Sequence, residues 1–384
     1  MKGVDVTRRE RLMATLRGEP VDRPAVSFYE VGGSPVNPND PDEFNIYNSP
    51  DWASLLRLAA EQTDLIHMRG PKQTPLPDNP SAEFFQTESF VRDGSRYTRT
   101  TLTVAGRTMA SLRRQDPGVA TSWQLEHLLR RVEDIKAYLQ LPDEVFACEY
   151  DVSDLAAADQ RVGDAGIIMV ETADPLCIAA DLFSMEDYLV VAMTEPKLFH
   201  QLLEKHSRHL YPKMERVARE FPGHLWRICG SEYASEPYLP PSLYEEYVVR
   251  YTRPMVETIH KYGGFARIHS HGRLKNILPH IRAMGPAGLD PIEPPPQGDV
   301  QLITVRRQYG KDMVLFGNLE ASDLETLAPT KFEKKVIRAL REGTAGEGRG
   351  FVLMPSSCPC GRKISDSTLK NYETMVRLAA SWGG

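Results

Sequence analysis

The sequence predicts an α/β chain folded as a (β/α)8 barrel, with an N-terminal helical extension and an inserted β-hairpin. Three observations carry that expectation. Eight short apolar runs each end in polar or glycine-containing residues, and segments of helical periodicity separate most of them. The runs are also nearly continuous in apolar residues rather than alternating, as strands covered on both sides must be. A chain of 384 residues can build one such core with insertions, so 1–384 reads as a single domain.

In chain order, Thr7 and Glu10 have the spacing of a capping box, followed by Leu12, Met13 and Leu16 and stopped at Gly18, which predicts a short amphipathic helix. The strand runs are 23–29, 64–69, 166–171, 224–230, 265–269, 288–292, 313–317 and 350–354. Helical periodicity covers 53–61, 185–199 continuing to 221, 241–262, 274–284, 301–309 and 329–342. Residues 88–114 break the alternation: they are rich in Thr, Val and Tyr, and Ala105-Gly106 predicts the turn of a hairpin. That hairpin belongs to an accessory insertion spanning about 85–160.

A net charge of −6 with no long basic block argues against nucleic acid or an anionic membrane as the main partner, leaving a small-molecule substrate. No stretch of 18 apolar residues occurs, and the start of the chain runs into Arg8-Arg9-Glu10 rather than an apolar leader, so the expected location is cytoplasmic. Five cysteines, an odd and sparse set, predict reduced thiols; only Cys358-Pro359-Cys360 has a purposeful spacing. The helix carrying His200, His206 and His209 also carries Lys205 and Arg208, and its histidines read as a solvated face. Gly346-Glu347-Gly348-Arg349-Gly350 precedes a strand instead of opening a helix, so it fails as a dinucleotide motif and reads as a turn.

In barrels of this type the reacting groups stand at the C-terminal strand ends. That rule places Arg69, Glu171, Glu232, Tyr233, His269, His271, Glu293, Asn318 and Cys358 on one rim. His269-Ser270-His271-Gly272 sets two imidazoles two residues apart before a glycine that lets the chain leave the pleat. They suit Zn²⁺, with Cys358 and Glu232 completing a mixed donor set, and they suit equally a metal-free role in binding a substrate anion. Glu232, His271 and Glu171 are the candidate catalytic residues. Arg69, Tyr233, Glu293 and Asn318 are the candidates for holding substrate, while Asp299 reads as a helix cap.

Arg8-Arg9-Glu10-Arg11-Leu12 with Leu16-Arg17-Gly18-Glu19-Pro20-Val21-Asp22-Arg23-Pro24 resembles the opening of the uroporphyrinogen decarboxylase-like superfamily. His269-Ser270-His271-Gly272, Gly317-Asn318-Leu319-Glu320 and Phe351-Val352-Leu353-Met354-Pro355-Ser356 with Asn371-Tyr372-Glu373 match it in order and spacing, so the resemblance spans about 8–380. It implies a (β/α)8 barrel. The Arg-Gln-Ala-Gly-Arg signature by which true uroporphyrinogen decarboxylases grip tetrapyrrole carboxylates is missing, and Ser27-Phe28-Tyr29-Glu30-Val31-Gly32-Gly33 follows instead. The chain is therefore nearer the corrinoid-dependent methyltransferase branch, whose zinc is held by a His-x-Cys pair and a later Cys. His269 matches that His, His271 replaces the first Cys, and Cys358 lies near the later one. The resemblance implies a zinc-dependent enzyme that demethylates a small methyl donor, an ether or amine, onto a corrinoid carried by a partner protein. It leaves room for a homodimer. The alternative is a decarboxylase or other lyase acting on a small carboxylic acid or a tetrapyrrole.

Overall fold

The computed structural model describes residues 6–382; Met1–Asp5, read above as lacking an apolar leader, lie outside them. Fourteen strands form three sheets. They are β1 (Ala25–Val26), β2 (Leu65–Arg69), β3 (Lys72–Pro75), β4 (Phe85–Arg92), β5 (Ser95–Val104), β6 (Arg107–Gln115), β7 (Ser122–Glu126), β8 (Cys148–Asp151), β9 (Gly166–Ala173), β10 (Leu225–Cys229), β11 (Phe265–Ser270), β12 (Gly288–Pro291), β13 (Val314–Leu319) and β14 (Phe351–Pro355). Eight of them make one curled parallel sheet in the order β1-β14-β13-β12-β11-β10-β9-β2. These are the eight apolar runs of the sequence, and the sheet has the (β/α)8 arrangement.

Side chains alternate along each strand. Ile66, Met68, Ile167, Met169, Val314 and Phe316 fill the inside of the curl together with Leu12 and Leu16 of the first helix, Arg8–Arg17. That helix, with the Thr7–Glu10 capping box and a left-handed Gly18 at its end, closes the N-terminal end of the barrel. Arg9 fastens it to the carbonyls of Gly163 and Gly166 and to Asp159.

β1 and β2 share no ladder. Asp64 joins them instead: its N–H donates to Val26 O at 2.8 Å and its carboxylate accepts from the Val26 N–H at 2.9 Å. The same fully buried carboxylate accepts from Arg11 at 2.7 Å and Arg23 at 2.8 Å, and Arg11 also holds Asp22 at 2.6 Å. The arginine-rich opening motif is thus a clamp on the barrel seam.

Three expectations need correction. The hairpin at Ala105-Gly106 is present, with φ of 51° and 72° at the turn, yet it is the centre of a four-stranded antiparallel sheet β4-β5-β6-β7. Asp93-Gly94, also at positive φ, turns β4 into β5, and that Asp-Gly pair was a readable hairpin signal. The long helix 185–221 breaks into Met185–Thr194 and Pro196–Glu220, because Pro196 offers no N–H to continue the first and is preorganised to start the second. A further helix, Asp366–Ala380, packs against Pro329–Gly343.

The third correction concerns the histidine-bearing helix. His206 is buried between Tyr138 and Phe146, and Lys205 is buried beneath the insertion, donating to Leu141 O at 2.7 Å and Asp143 at 3.1 Å. Only Arg208 of this group projects well into solvent. The insertion covers the face that sequence alone leaves to water.

Two outcomes follow from this packing. Asp64→Ala strands Arg11 and Arg23 and opens the seam, and is expected to cost about 3–5 kcal/mol in urea unfolding. Burial holds the His206 imidazole neutral down to about 3. Protonation then favours the unfolded chain below its ordinary value of 6.5, so stability is lost as pH falls, by about 2 kcal/mol near pH 5. His206→Phe is expected to flatten that part of the pH–stability curve.

Candidate functional site

Register sets the site in layers. Glu171, Arg227 and Arg267 stand side by side on β9, β10 and β11, and one layer higher Cys229, His269 and Asp290 align on β10, β11 and β12. Arg267 and Asp290 are completely buried and His269 nearly so. Asp290 faces Arg267 Nε at 2.9 Å and accepts from His269 Nδ1 at 2.8 Å. Burial opposes its charge, but Arg267 and the His269 imidazole that donates to it hold the Asp290 carboxyl down at about 2. Arg267 lies over the Phe316 ring, and none of its guanidinium nitrogens makes a well-aligned hydrogen bond. Tyr29 stacks on His269, and the Arg227 guanidinium lies over the same Tyr29 ring at 5.5 Å. Arg227 pairs with Glu171, whose side chain is exposed toward the rim.

His271 stands above this layer. Gly272, at φ +78°, turns the chain so that the His269 and His271 rings meet edge to face with centroids 4.6 Å apart. Glu293, itself buried, receives His271 Nδ1 at 2.9 Å and the Gly272 N–H at 2.6 Å. Each imidazole therefore has its Nδ1 fixed by a carboxylate, which leaves Nε2 as the outward nitrogen. Their proton affinities diverge. Burial pushes His269 down despite Asp290, whereas for His271 the Glu293 partner overcomes burial, helped by the charge of Glu232, and raises it.

The remaining sequence candidates scatter. Glu232 sits on the turn Ser231–Ala234, with its carboxylate accepting from the Gly230 N–H at 3.1 Å, close enough for its charge to act on His271. Tyr233 packs edge to face on Tyr188, and its carbonyl accepts the Tyr188 hydroxyl. Arg69 points away from the barrel interior: its guanidinium donates to the carbonyls of Gly33 at 3.1 Å and Met68 at 2.7 Å, so it is a loop brace rather than a group facing the imidazoles. Asn318 lines a small cavity with Pro294, Glu320 and Lys335 that includes neither histidine. Asp299 does not cap a helix: it accepts from the N–H groups of Leu274 and Lys275 in the turn that precedes the helix Leu278–Met284, whose first turn has no side-chain cap.

Cys358 is the clearest departure. Its thiol donates to Glu30 Oε2 at 2.9 Å, and burial followed by that carboxylate raises its pKa well above the ordinary thiol value. The thiol is turned onto Glu30, and the set His269, His271, Cys358 and Glu232 does not come together. Among the described residues, no three His, Cys, Asp or Glu side chains converge as a metal cage requires. What does fit a metal is the pair of carboxylate-anchored imidazoles, because this second shell fixes the tautomer and presents Nε2.

Sequence reasoning missed Asp290, Arg227, Arg267 and Tyr29. The signal was available: each of the first three is a charged residue inside an otherwise apolar strand run, a placement that burial tolerates only with a partner.

The uroporphyrinogen decarboxylase (URO-D) family model matches residues 122–382, from β7 to the end of the last helix. The chain belongs to that family. The matched segment of this uroporphyrinogen decarboxylase family member holds β9 to β14 and the whole imidazole site, while the seam clamp lies before it. Among solved structures, a methyltransferase from Methanosarcina mazei is similar at 15% identity and a TM-score of 0.59, covering 98% of this chain and 99% of that one, which shows a shared fold from end to end. A D-psicose 3-epimerase (9% identity, 55% of this chain and 86% of that one, TM-score 0.30) and an IOLI protein with a bound zinc atom (9%, 59% and 90%, 0.31) share less. No curated protein matches the sequence. No helix among the described residues is long and apolar enough to cross a membrane.

The buried triad gives a contrast between two conservative changes. Asp290→Asn leaves the Arg267 guanidinium uncompensated in the barrel and is expected to cost about 3–5 kcal/mol in urea unfolding. Glu293→Gln still accepts from Gly272 at the half-open rim and is expected to cost about 1 kcal/mol.

Proposed function

We propose that the protein is a methyltransferase that takes a methyl group from a small ether or amine donor and passes it to a corrinoid on a partner protein. The observation that carries this reading is the pair His269 and His271, each anchored through Nδ1 by a buried carboxylate at the mouth of the barrel. The full-length likeness to a methyltransferase fold supports the reaction class.

In this reading His269 and His271 hold a zinc ion through Nε2, with Glu232 as a third donor or as the acid that protonates the leaving atom. The metal would supply Lewis acidity at the ether oxygen or amine nitrogen, and the corrinoid the methyl-accepting nucleophile. The chain's own residues do the rest. Asp290 keeps the His269 Nδ1 protonated, and Glu293 does the same for His271, so neither ring can flip its donor atom away. Tyr29, Phe316 and the packed arginines below exclude water from the floor. Glu232, on the rim beside His271, would first have to take up a proton and could then pass it on as the methyl group departs with its bonding electrons left on the donor atom. Cys358 takes no part.

A second reading rests on one specific observation: Glu293 raises the proton affinity of His271 where no third donor converges. His271 would then be a general acid that protonates the carbanion left by loss of CO2 from a small carboxylic acid.

Elemental analysis and pH profiles separate the two. Untagged protein is expected to carry about one zinc per chain, lost in His269→Ala and kept in Cys358→Ala. Its methylation of free cob(I)alamin from methoxy or methylamine donors, followed by visible absorbance, should rise with pH as His271 loses its proton, through a pKa above 6.5. Zinc-free protein whose activity releases CO2 and instead falls with pH through that value would replace methyl transfer with the lyase reading.

A further inference from the structure

At the opposite, N-terminal end of the barrel, a cavity of about 460 Å³ opens between the loop before β1, the helices Leu302–Tyr309 and Pro329–Gly343, and the glycine-rich loop before β14. Three arginines on its wall have no carboxylate partner among the described residues. Arg306 is 96% buried by its exposure of 4%, yet it donates only to carbonyls, Nε to Ala345 O at 3.1 Å and Nη1 to Gly350 O at 3.3 Å. Its Nη2 has no protein partner. Arg349 likewise spends its donors on carbonyls, with Nη2 2.7 Å from Leu16 O. Arg341 is exposed and bonds to nothing described. Of the cavity's two carboxylates, Asp22 is held by Arg11, which leaves Glu19 against three cations.

A buried guanidinium with only neutral partners is costly unless an anion completes it. Gly348 packs its backbone directly on the Arg306 guanidinium: a Cβ there would stand 2.5 Å from Cζ and 2.6 Å from Nη2, so only glycine lets the guanidinium keep its place in the cavity wall. Gly346-Glu347-Gly348-Arg349-Gly350 fails as a dinucleotide fingerprint because no helix follows it, but here it brings Arg349 and the bare Gly348 backbone to one cavity. The other wall is apolar: Phe351, Pro20 and the indole of Trp382, which is anchored by Nε1 to Thr344 Oγ1 at 3.4 Å.

From this juxtaposition we infer that the cavity is a second binding site, remote from the imidazole pair, for a phosphorylated molecule with a flat ring. Three guanidinium forks around one space match the several oxygens and double charge of a phosphoryl group better than the single charge of a carboxylate. Trp382 offers the ring a stacking face. The volume suits a nucleotide-sized ligand rather than a lone ion.

Isothermal titration calorimetry of the full chain with ADP, inorganic pyrophosphate and adenosine tests this. ADP should bind, pyrophosphate more weakly, and adenosine weakest. Arg341→Ala, which removes an exposed side chain with no hydrogen bond or ion pair among the described residues, should weaken ADP binding about tenfold or more while the unliganded Tm stays in place. Gly348→Ala, which displaces the Arg306 guanidinium, should abolish it. ADP producing no heat at millimolar concentration would overturn the site, as would adenosine binding as tightly as ADP, or an Arg341→Ala affinity equal to the parent's. Binding of pyrophosphate without ADP would overturn the ring component. Because the readout needs neither zinc nor methyl donor, these results are independent of the reaction at the other end of the barrel.

Discussion

A parallel barrel has to join its first strand to its second, and in this chain that junction has almost no backbone ladder to rely on: β1 is two residues long and pairs only with β14. Asp64 supplies what the ladder lacks. Its amide and carboxylate close a two-way exchange with Val26, and the negative charge this buries is balanced by Arg11 and Arg23. The first helix is thereby welded to the seam, and Leu12 and Leu16 can fill the lower barrel. Everything above that plug, including the layers that carry Arg267 and His269, is stacked on it.

The upper half repeats the device with a different purpose. Asp290 neutralises Arg267 on one side and fixes His269 on the other, so the floor of the site is an ion pair and its working face an oriented imidazole. Glu293 does the same for His271 one layer higher, but at a half-open position. Equal partners in unequal burial give two imidazoles with opposite proton preferences, which is a way of obtaining an acceptor and a donor from one residue type.

How much of this was legible depended on range. Strands covered on both faces announce themselves as apolar runs, so all eight barrel strands were readable. Residues tied by local geometry were readable too: the Thr7 cap and the Ala105-Gly106 turn. What failed was anything decided by a distant surface. His206 looks solvent-facing until the insertion lies on it, Arg69 looks available until Gly33 claims it, and Cys358 looks like a ligand until Glu30, 328 residues away in sequence, accepts its hydrogen bond. The opening arginine motif, one of several stretches behind the family resemblance, is architectural: it clamps the barrel seam and lies before the residues that the family model matches.

The strand order also dictates when the molecule can be finished. β1 and β2 emerge within the first seventy residues, yet β1 has its only ladder with β14, near the other end of the chain. The antiparallel sheet β4-β5-β6-β7 is built from neighbours in sequence and can form early, whereas closing the barrel requires a contact between Ala25 and Val352. Such long loops raise contact order and slow the final step.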